Sequence, residues 1–372
     1  MNKLNSAAIK NDLYCPFPLA SPPSTELLVG DTANWLMLNA LSPHEKHANI
    51  IAQVGVDYIS CCYPDTQPRR MQELSRFAAW NCILDDFVEQ GHLHESPGEL
   101  IHFLSCLKYV CEQEHPYPQP TLGIMENQPL VATITEMKKQ MGRESNPAAM
   151  RNLMSCTSHF ISGLIWEIAT NIRGRPLDIN TFCALRTHNS GMYMAIAMAE
   201  YASDAVLSSE ERANPILQAA CKSLMLVLVI DNDIYSYAKE HSNGHGVTSN
   251  ILDIFQRTRQ TDLQGALQYT ITLRNQSLLC YQRLRARYWP EPDIRIATYF
   301  RGLEDIVSGN LVFGNINARY ATPDQAPSRT TEHGPHTLRF SGGAIHIVKT
   351  WTSDSQLPHI IPAIAWWWSW LE

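Results

Sequence analysis

The stretch from Leu228 to Glu240 begins apolar and becomes polar at one helical spacing: Asn232, Ser236 and Glu240 stand at i, i+4 and i+8. Four residues turn an α-helix through about 400°, so each step drifts only about 40° around the axis. Three oxygen-bearing side chains therefore share one face of a helix that starts in the core. An amide, a hydroxyl and a carboxylate form a weak charge trap but a good shell of hard oxygens. Mg²⁺ accepts such a shell and completes it with water or a substrate phosphate. Lys239, just before Glu240, is placed to meet a phosphate oxygen. Taken alone, the pattern also fits an ordinary helix running out of the core into solvent.

The rest of the chain carries the same periodicity. Apolar residues recur at helical spacing over Thr25–Leu41, and Ser42-Pro43 reads as the N-cap and first residue of a second helix. Further helical segments are expected over residues 68–90, Leu100–Cys111, Leu130–Met141, Pro147–Ile172, Ile179–Tyr201, Pro215–Glu240, Asn250–Phe255, Asp262–Tyr288 and Ile294–Asn315. Strand signals are nearly absent. The expectation is an all-α, single-domain helical bundle over residues 25–320, preceded by an irregular, proline-rich segment 1–24. A tail over 321–372 follows, polar up to Ser341 and tryptophan-rich at its end. His241–Val247, with two glycines, reads as a mobile loop.

Composition excludes several classes. A net charge of −7 without a basic run argues against nucleic acid as a partner. Ten scattered cysteines without a CxxC pair give no zinc spacing and point to reduced thiols in a cytoplasmic protein. The first twenty residues lack the apolar core of a secretory signal, and no apolar run is long enough to predict a spanning helix.

A second acidic face lies at the end of the long helix after Pro68. Asp85 and Glu89 are one turn apart with Asp86 beside them. Three carboxylates in five residues repel one another and oppose the helix dipole unless a cation is present. They follow the apolar Phe77–Leu84, which places part of the group at a pocket wall. Two oxygen-rich helix faces brought together could hold several Mg²⁺ ions around a diphosphate and take up the charge that develops as a C–O bond breaks.

The ordered set of motifs resembles the microbial class I terpene synthases (terpene cyclases). Asp85-Asp86-x-x-Glu89 resembles the family's aspartate-rich motif, and Asn232-Asp-x-x-Ser236-x-x-Lys239-Glu240 its Asn-Ser-Glu metal triad with the adjacent base. Arg186, 46 residues before Asn232, stands where the family keeps its diphosphate-sensing arginine. Gly309-Asn310-Leu311-Val-Phe313 and then Arg319-Tyr320 resemble its late helix and Arg-Tyr pair, and Tyr63-Pro64 upstream also fits. The resemblance covers roughly residues 15–320 and implies a class I fold around a central apolar cavity. It implies that Asp85, Asp86, Glu89, Asn232, Ser236 and Glu240 hold three Mg²⁺ ions. It also implies that Arg186, Lys239, Arg319 and Tyr320 grip the diphosphate, and that a backbone carbonyl near Ser190, in a kinked helix, points into the pocket.

Two departures bear on the product and leave the class alone: Cys82 replaces the aromatic often found three residues before the first Asp, and Phe313 replaces a frequent Trp. Phe77, Phe160, Trp166, Phe182 and Phe313 are candidates for an aromatic wall, where ring faces stabilise cations. Phe77 and Phe313 are the expected substrate contacts. The implied substrate is a prenyl diphosphate, farnesyl diphosphate before geranylgeranyl diphosphate, handled by a monomer or homodimer. The alternatives are a chain-elongating prenyl diphosphate synthase, which would carry aspartate-rich motifs on both helices, and a helical binding protein without turnover.

Overall fold

A computed structural model of the chain describes residues 12–19, 25–90, 95–113, 128–143, 145–242, 249–317, 337–340, 343–352 and 355–372. The helical periodicity becomes α1 (Glu26–Leu38), α2 (Glu45–Cys62), α3 (Pro68–Gln90), α4 (Pro97–Glu112), α5 (Pro129–Gly142), α6 (Pro147–Ile172) and α7 (Ile179–Asn189). The remaining helices are α8 (Met192–Ser203), α9 (Ser209–Ala213), α10 (Pro215–Ser242), α11 (Ile251–Arg259), α12 (Leu263–Tyr288), α13 (Ile294–Ile316) and α14 (Pro362–Ser369). Short polar side chains start several of them. Asn146 caps α6 ahead of Pro147, and Asp178, Asp262 and Asp293 cap α7, α12 and α13, each accepting a backbone N–H of the first turn.

Apolar faces of these helices merge into one core. Close approach is set by glycine: a Cβ at Gly55 would lie 2.8 Å from the Ser75 carbonyl of α3, and one at Gly309 would lie 2.2 Å from the Cys61 carbonyl of α2. The helix α10 runs through the middle of this packing and touches α7, α8, α12 and α13. By length and composition alone, Pro215–Ala238 is apolar enough to cross a membrane. Its buried share, 67% of the window, is what a core helix shows.

Two local expectations are corrected, and the kink implied near Ser190 is located. The helix α2 starts at Glu45 and not at Pro43, because the Ser42 hydroxyl is engaged by the His44 carbonyl (3.1 Å) and His47 Nδ1 (2.7 Å) and caps nothing. The stretch Ile179–Tyr201 is two helices, broken at Ser190-Gly191, where Gly191 takes φ +75°. That value lies in the left-handed region that glycine enters without a steric cost.

Thirdly, the helical bundle carries, among the described residues, one small sheet. Its strands are β1 (Asp12–Tyr14), β2 (Thr337–Phe340) and β3 (Gly343–Val348), in the order β1-β3-β2. β1 runs parallel to β3, with Leu13 opposite Ile347, and β2 and β3 form an antiparallel pair. The irregular N-terminal segment and the tail thus meet. The tryptophan-rich end is ordered as α14, with Trp367 and Trp368 buried. Asn180 of α7 accepts the Ala363 N–H at 2.7 Å, and Tyr288 of α12 donates to the Trp370 carbonyl at 2.8 Å.

Candidate active site

Of the helices that carry the expected motifs, α7 packs directly on α10, and α3 and α10 both pack on α8. At the end of α3, the carboxylates of Asp85, Asp86 and Glu89 offer oxygens that all lie within 4.8 Å of one another. On α10, Ser236 is buried and donates its hydroxyl to Glu240 Oε1 at 2.5 Å. The other carboxylate oxygen, Glu240 Oε2, accepts from Asn250 Nδ2 at 3.1 Å. Asn250 caps α11 and also donates to the Asp233 carbonyl at 2.8 Å, so one amide fixes both the helix start and the end of the ligand face. Asn232 is half-buried one turn before Ser236.

Arg186 sits on the last turn of α7. Its Nη2 donates to Asp233 Oδ1 at 2.8 Å, and its Nη1 approaches Asn189 Oδ1 at 3.4 Å. Asp233 is 1% exposed, and its second oxygen accepts the Ile251 N–H at 2.9 Å. Burial pushes the Asp233 carboxyl up to about 6 against the pull of Arg186. Burial alone would push the Arg186 guanidinium down, but Asp233, Glu167 and Glu240 together hold it above its ordinary value. The cation is thus locked on by three carboxylates.

Glu167 of α6 bonds to the end of α7 beside Arg186. Burial pushes its carboxyl up; Arg186 and a 2.7 Å hydrogen bond from Asn189 Nδ2 pull it down. The negative charges of Asp85 on α3 and Glu240 on α10 push it up again. The helix α8, which follows the break, packs against both α3 and α10 and so links the helices that carry the two oxygen-rich faces.

The break itself rests on α6. A Cβ at Gly163 would lie 2.6 Å from the Asn189 nitrogen, and Gly163 is one turn before Glu167 on the same face. Gly163→Ala is expected to push α7 away from α6 and to cost about 1–3 kcal/mol, as overpacking against backbone does. Thermal unfolding with a parallel turnover assay checks this, and wild-type values in both would show that the approach of α6 to α7 is not required.

Phe77 is fully buried and stacks on Trp80, and Phe313 is buried edge-on to Tyr58 at 5.3 Å between centroids. Phe160 and Phe182 are also buried, whereas Trp166 is 40% exposed beside His188 and is no part of an interior wall. Its place on the outer face of α6 follows from sharing a helix with Glu167, one residue on, which faces inward. Ser190 ends α7 at the break, as expected for a kinked helix. Arg319, Tyr320, the loop residues 243–247 and the Lys239 side chain lie outside the described residues. The expectations missed Glu167, Asn189 and Asn250 as site residues. Glu167 had a signal, a lone carboxylate in the apolar run Ile161–Ile172, and Asn250 had one as a cap.

Residues 76–278 match the family model described as terpene synthase family 2, C-terminal metal binding. The match contains both oxygen-rich faces and Arg186. The chain belongs to this family, and it is a terpene synthase, a diphosphate-releasing lyase that uses divalent metal. Among similar proteins, diterpene cyclase DtcycA from a Streptomyces species is 22% identical over 97% of this chain and 96% of its own. The 4-epi-cubebol synthase of Streptosporangium roseum, described as cyclising (2E,6E)-farnesyl diphosphate, is 23% identical over 83% of this chain and 91% of its own. Among solved structures, the SVS_A2 protein from ancestral sequence reconstruction superposes with a TM-score of 0.76 at 20% identity, covering 97% of this chain and 98% of its own.

Proposed function

We propose that the chain ionises a prenyl diphosphate between the α3 and α10 faces and cyclises the resulting carbocation. The observation that carries this is the carboxylate cluster of Asp85, Asp86 and Glu89 on α3, together with α8, which packs against both α3 and α10. The donor set fits Mg²⁺: carboxylate, amide and hydroxyl oxygens with no thiolate or imidazole among them. We assign three ions to Asp85, Asp86 and Glu89 on one side and Asn232, Ser236 and Glu240 on the other. When bound, they neutralise the charge that builds on the diphosphate as it leaves.

The remaining work falls to the chain. Arg186 is presented at the end of α7 as a fixed cation and hydrogen-bonds the diphosphate oxygens, joined by Lys239, Arg319 and Tyr320. The C–O bond breaks with its electron pair going to the diphosphate, leaving an allylic cation. The buried wall that includes Phe77 and Phe313 excludes water and offers ring faces to that cation. The Ser190 carbonyl, at the break, is aimed at the cation by the same residues that hold Arg186. Loss of a proton or capture of water ends the reaction. The ten cysteines are all free thiols, which suits a cytoplasmic protein.

Farnesyl diphosphate is the substrate expected from sequence. Relatives named for both classes match, a diterpene cyclase over 97% of this chain and a farnesyl diphosphate-cyclising synthase over 83%, so geranylgeranyl diphosphate stands as the alternative. Gas chromatography–mass spectrometry of incubations with C10, C15 and C20 diphosphates tests this. The expected outcome is a cyclic C15 product, formed with release of diphosphate and lost on adding a chelator; a cyclic product from the C20 substrate alone would make the chain a diterpene cyclase. A longer diphosphate from dimethylallyl plus isopentenyl diphosphate would favour chain elongation instead, and no product from any substrate would favour a binding protein.

A further inference from the structure

Asp231, the residue before Asn232, forms an ion pair with Arg274 of α12 in which neither side chain has any solvent exposure. Arg274 Nε donates to Asp231 Oδ1 at 2.9 Å and Nη2 to Oδ2 at 3.1 Å. The third nitrogen, Nη1, donates to the backbone carbonyl of Tyr14 in β1. The neighbouring Asn275 completes the joint: its Oδ1 accepts the Tyr14 N–H at 3.0 Å, and its Nδ2 donates to the Asp12 carbonyl at 2.8 Å. One guanidinium therefore ties α10, α12 and the N-terminal strand together.

The placement beside Asn232 gives this joint its meaning. Consecutive residues on a helix point about 100° apart. Asp231 is anchored on α12, and Asp233 is anchored on Arg186 of α7 and the Ile251 N–H of α11. With both neighbours held in different directions, the rotation of α10 at Asn232 is fixed. A fully buried ion pair is a poor device for stability alone, because desolvation of both charges offsets most of their attraction and apolar residues of similar volume do as well. Its asset is geometric: two parallel hydrogen bonds allow one orientation.

We propose that Arg274 is a positioning residue for the metal-holding face of α10. Through Asp231 it sets the helix rotation that aims Asn232 into the site, and through Tyr14 it makes the N-terminal strand part of that support. The proposal rests on the reading of Asn232 as a metal ligand.

Arg274→Met alone would strand Asp231 without a partner, so the informative variants are the apolar pair Asp231→Leu/Arg274→Met and the conservative Arg274→Lys. The readouts are the melting temperature, its rise on adding Mg²⁺ with inorganic diphosphate, and the Mg²⁺ concentration for half-maximal turnover. The double variant is expected to fold and to need about 10–100-fold more Mg²⁺, the range seen when a residue that orients a metal ligand is lost. Its melting-temperature rise with Mg²⁺ and diphosphate should shrink, while kcat at saturating Mg²⁺ falls less. Arg274→Lys should lie between. A folded double variant with the wild-type Mg²⁺ requirement would overturn the proposal, and so would an unfolded one accompanied by an Arg274→Lys protein that responds like wild type. A wild-type protein whose melting temperature ignores Mg²⁺ with diphosphate would overturn the metal-site reading itself, a result distinct from both.

Discussion

Asn232→Ala and Glu240→Ala are each expected to lower turnover by about a hundred- to a thousandfold, the cost of deleting one group that stabilises developing charge. The circular dichroism of the helices should stay as it is. Asn232 is half-buried on a helix face, and alanine is the best helix former. Glu240 gives up its bonds to Ser236 and Asn250, but Asn250 keeps the Asp233 carbonyl and its cap on α11, so stability should drop by only about 1 kcal/mol. Glu240→Gln separates the two roles: an amide still accepts from Ser236 but carries no charge for a cation. It should be nearly as inactive as the alanine variant. Unchanged turnover in both alanine variants would remove these residues from the metal site.

The second large effect falls on Arg186. Arg186→Ala leaves Asp233, 1% exposed, with the Ile251 N–H as the remaining partner of its carboxylate among those described above. Breaking a buried ion pair from one side costs about 3–5 kcal/mol, which melting experiments read directly. Burial lifts the Asp233 carboxyl to about 6 even beside the guanidinium. Without it, the native state takes up a proton more readily than the unfolded chain, so stability falls as pH rises and the loss should be larger near pH 8 than near pH 5. Turnover should fall by more than stability explains, because the same guanidinium is the proposed grip on the diphosphate. In Arg186→Ala/Asp233→Asn the stranded charge is gone, and most of the stability should return without the activity. A double variant that regains activity would make Arg186 a structural residue only.

The helices and the spacing of the candidate metal ligands were legible in the sequence because both are periodic. Ser236 and Glu240 meet because i and i+4 meet on any helix, and Asp85 and Glu89 for the same reason. What brings α3 toward α10 is not periodic. It depends on α8 packing against both, and the break that starts α8 depends in turn on Gly163 letting the end of α7 lie on α6, with Glu167 and Asn189 bonding across that contact, none of which a one-dimensional spacing encodes. The sheet was missed for a related reason. Its strands are three, four and six residues long and come from opposite ends of the chain, too short for an alternating pattern to stand out. Ser42 shows the limit of local rules: a good capping residue in the right place was taken by His44 and His47. Trp166 shows another, since an aromatic near a site motif can lie on the outer side of its helix.

The account stands on the two oxygen-rich faces holding their ions around one diphosphate. Crystals grown with Mn²⁺ and inorganic diphosphate, with the ions located by anomalous scattering, test that directly. The predicted map has manganese at Asp85 and at Asn232, Ser236 and Glu240, bridged by a single diphosphate that also touches Arg186. Manganese on one face alone, or a diphosphate bound away from Arg186, would contradict it.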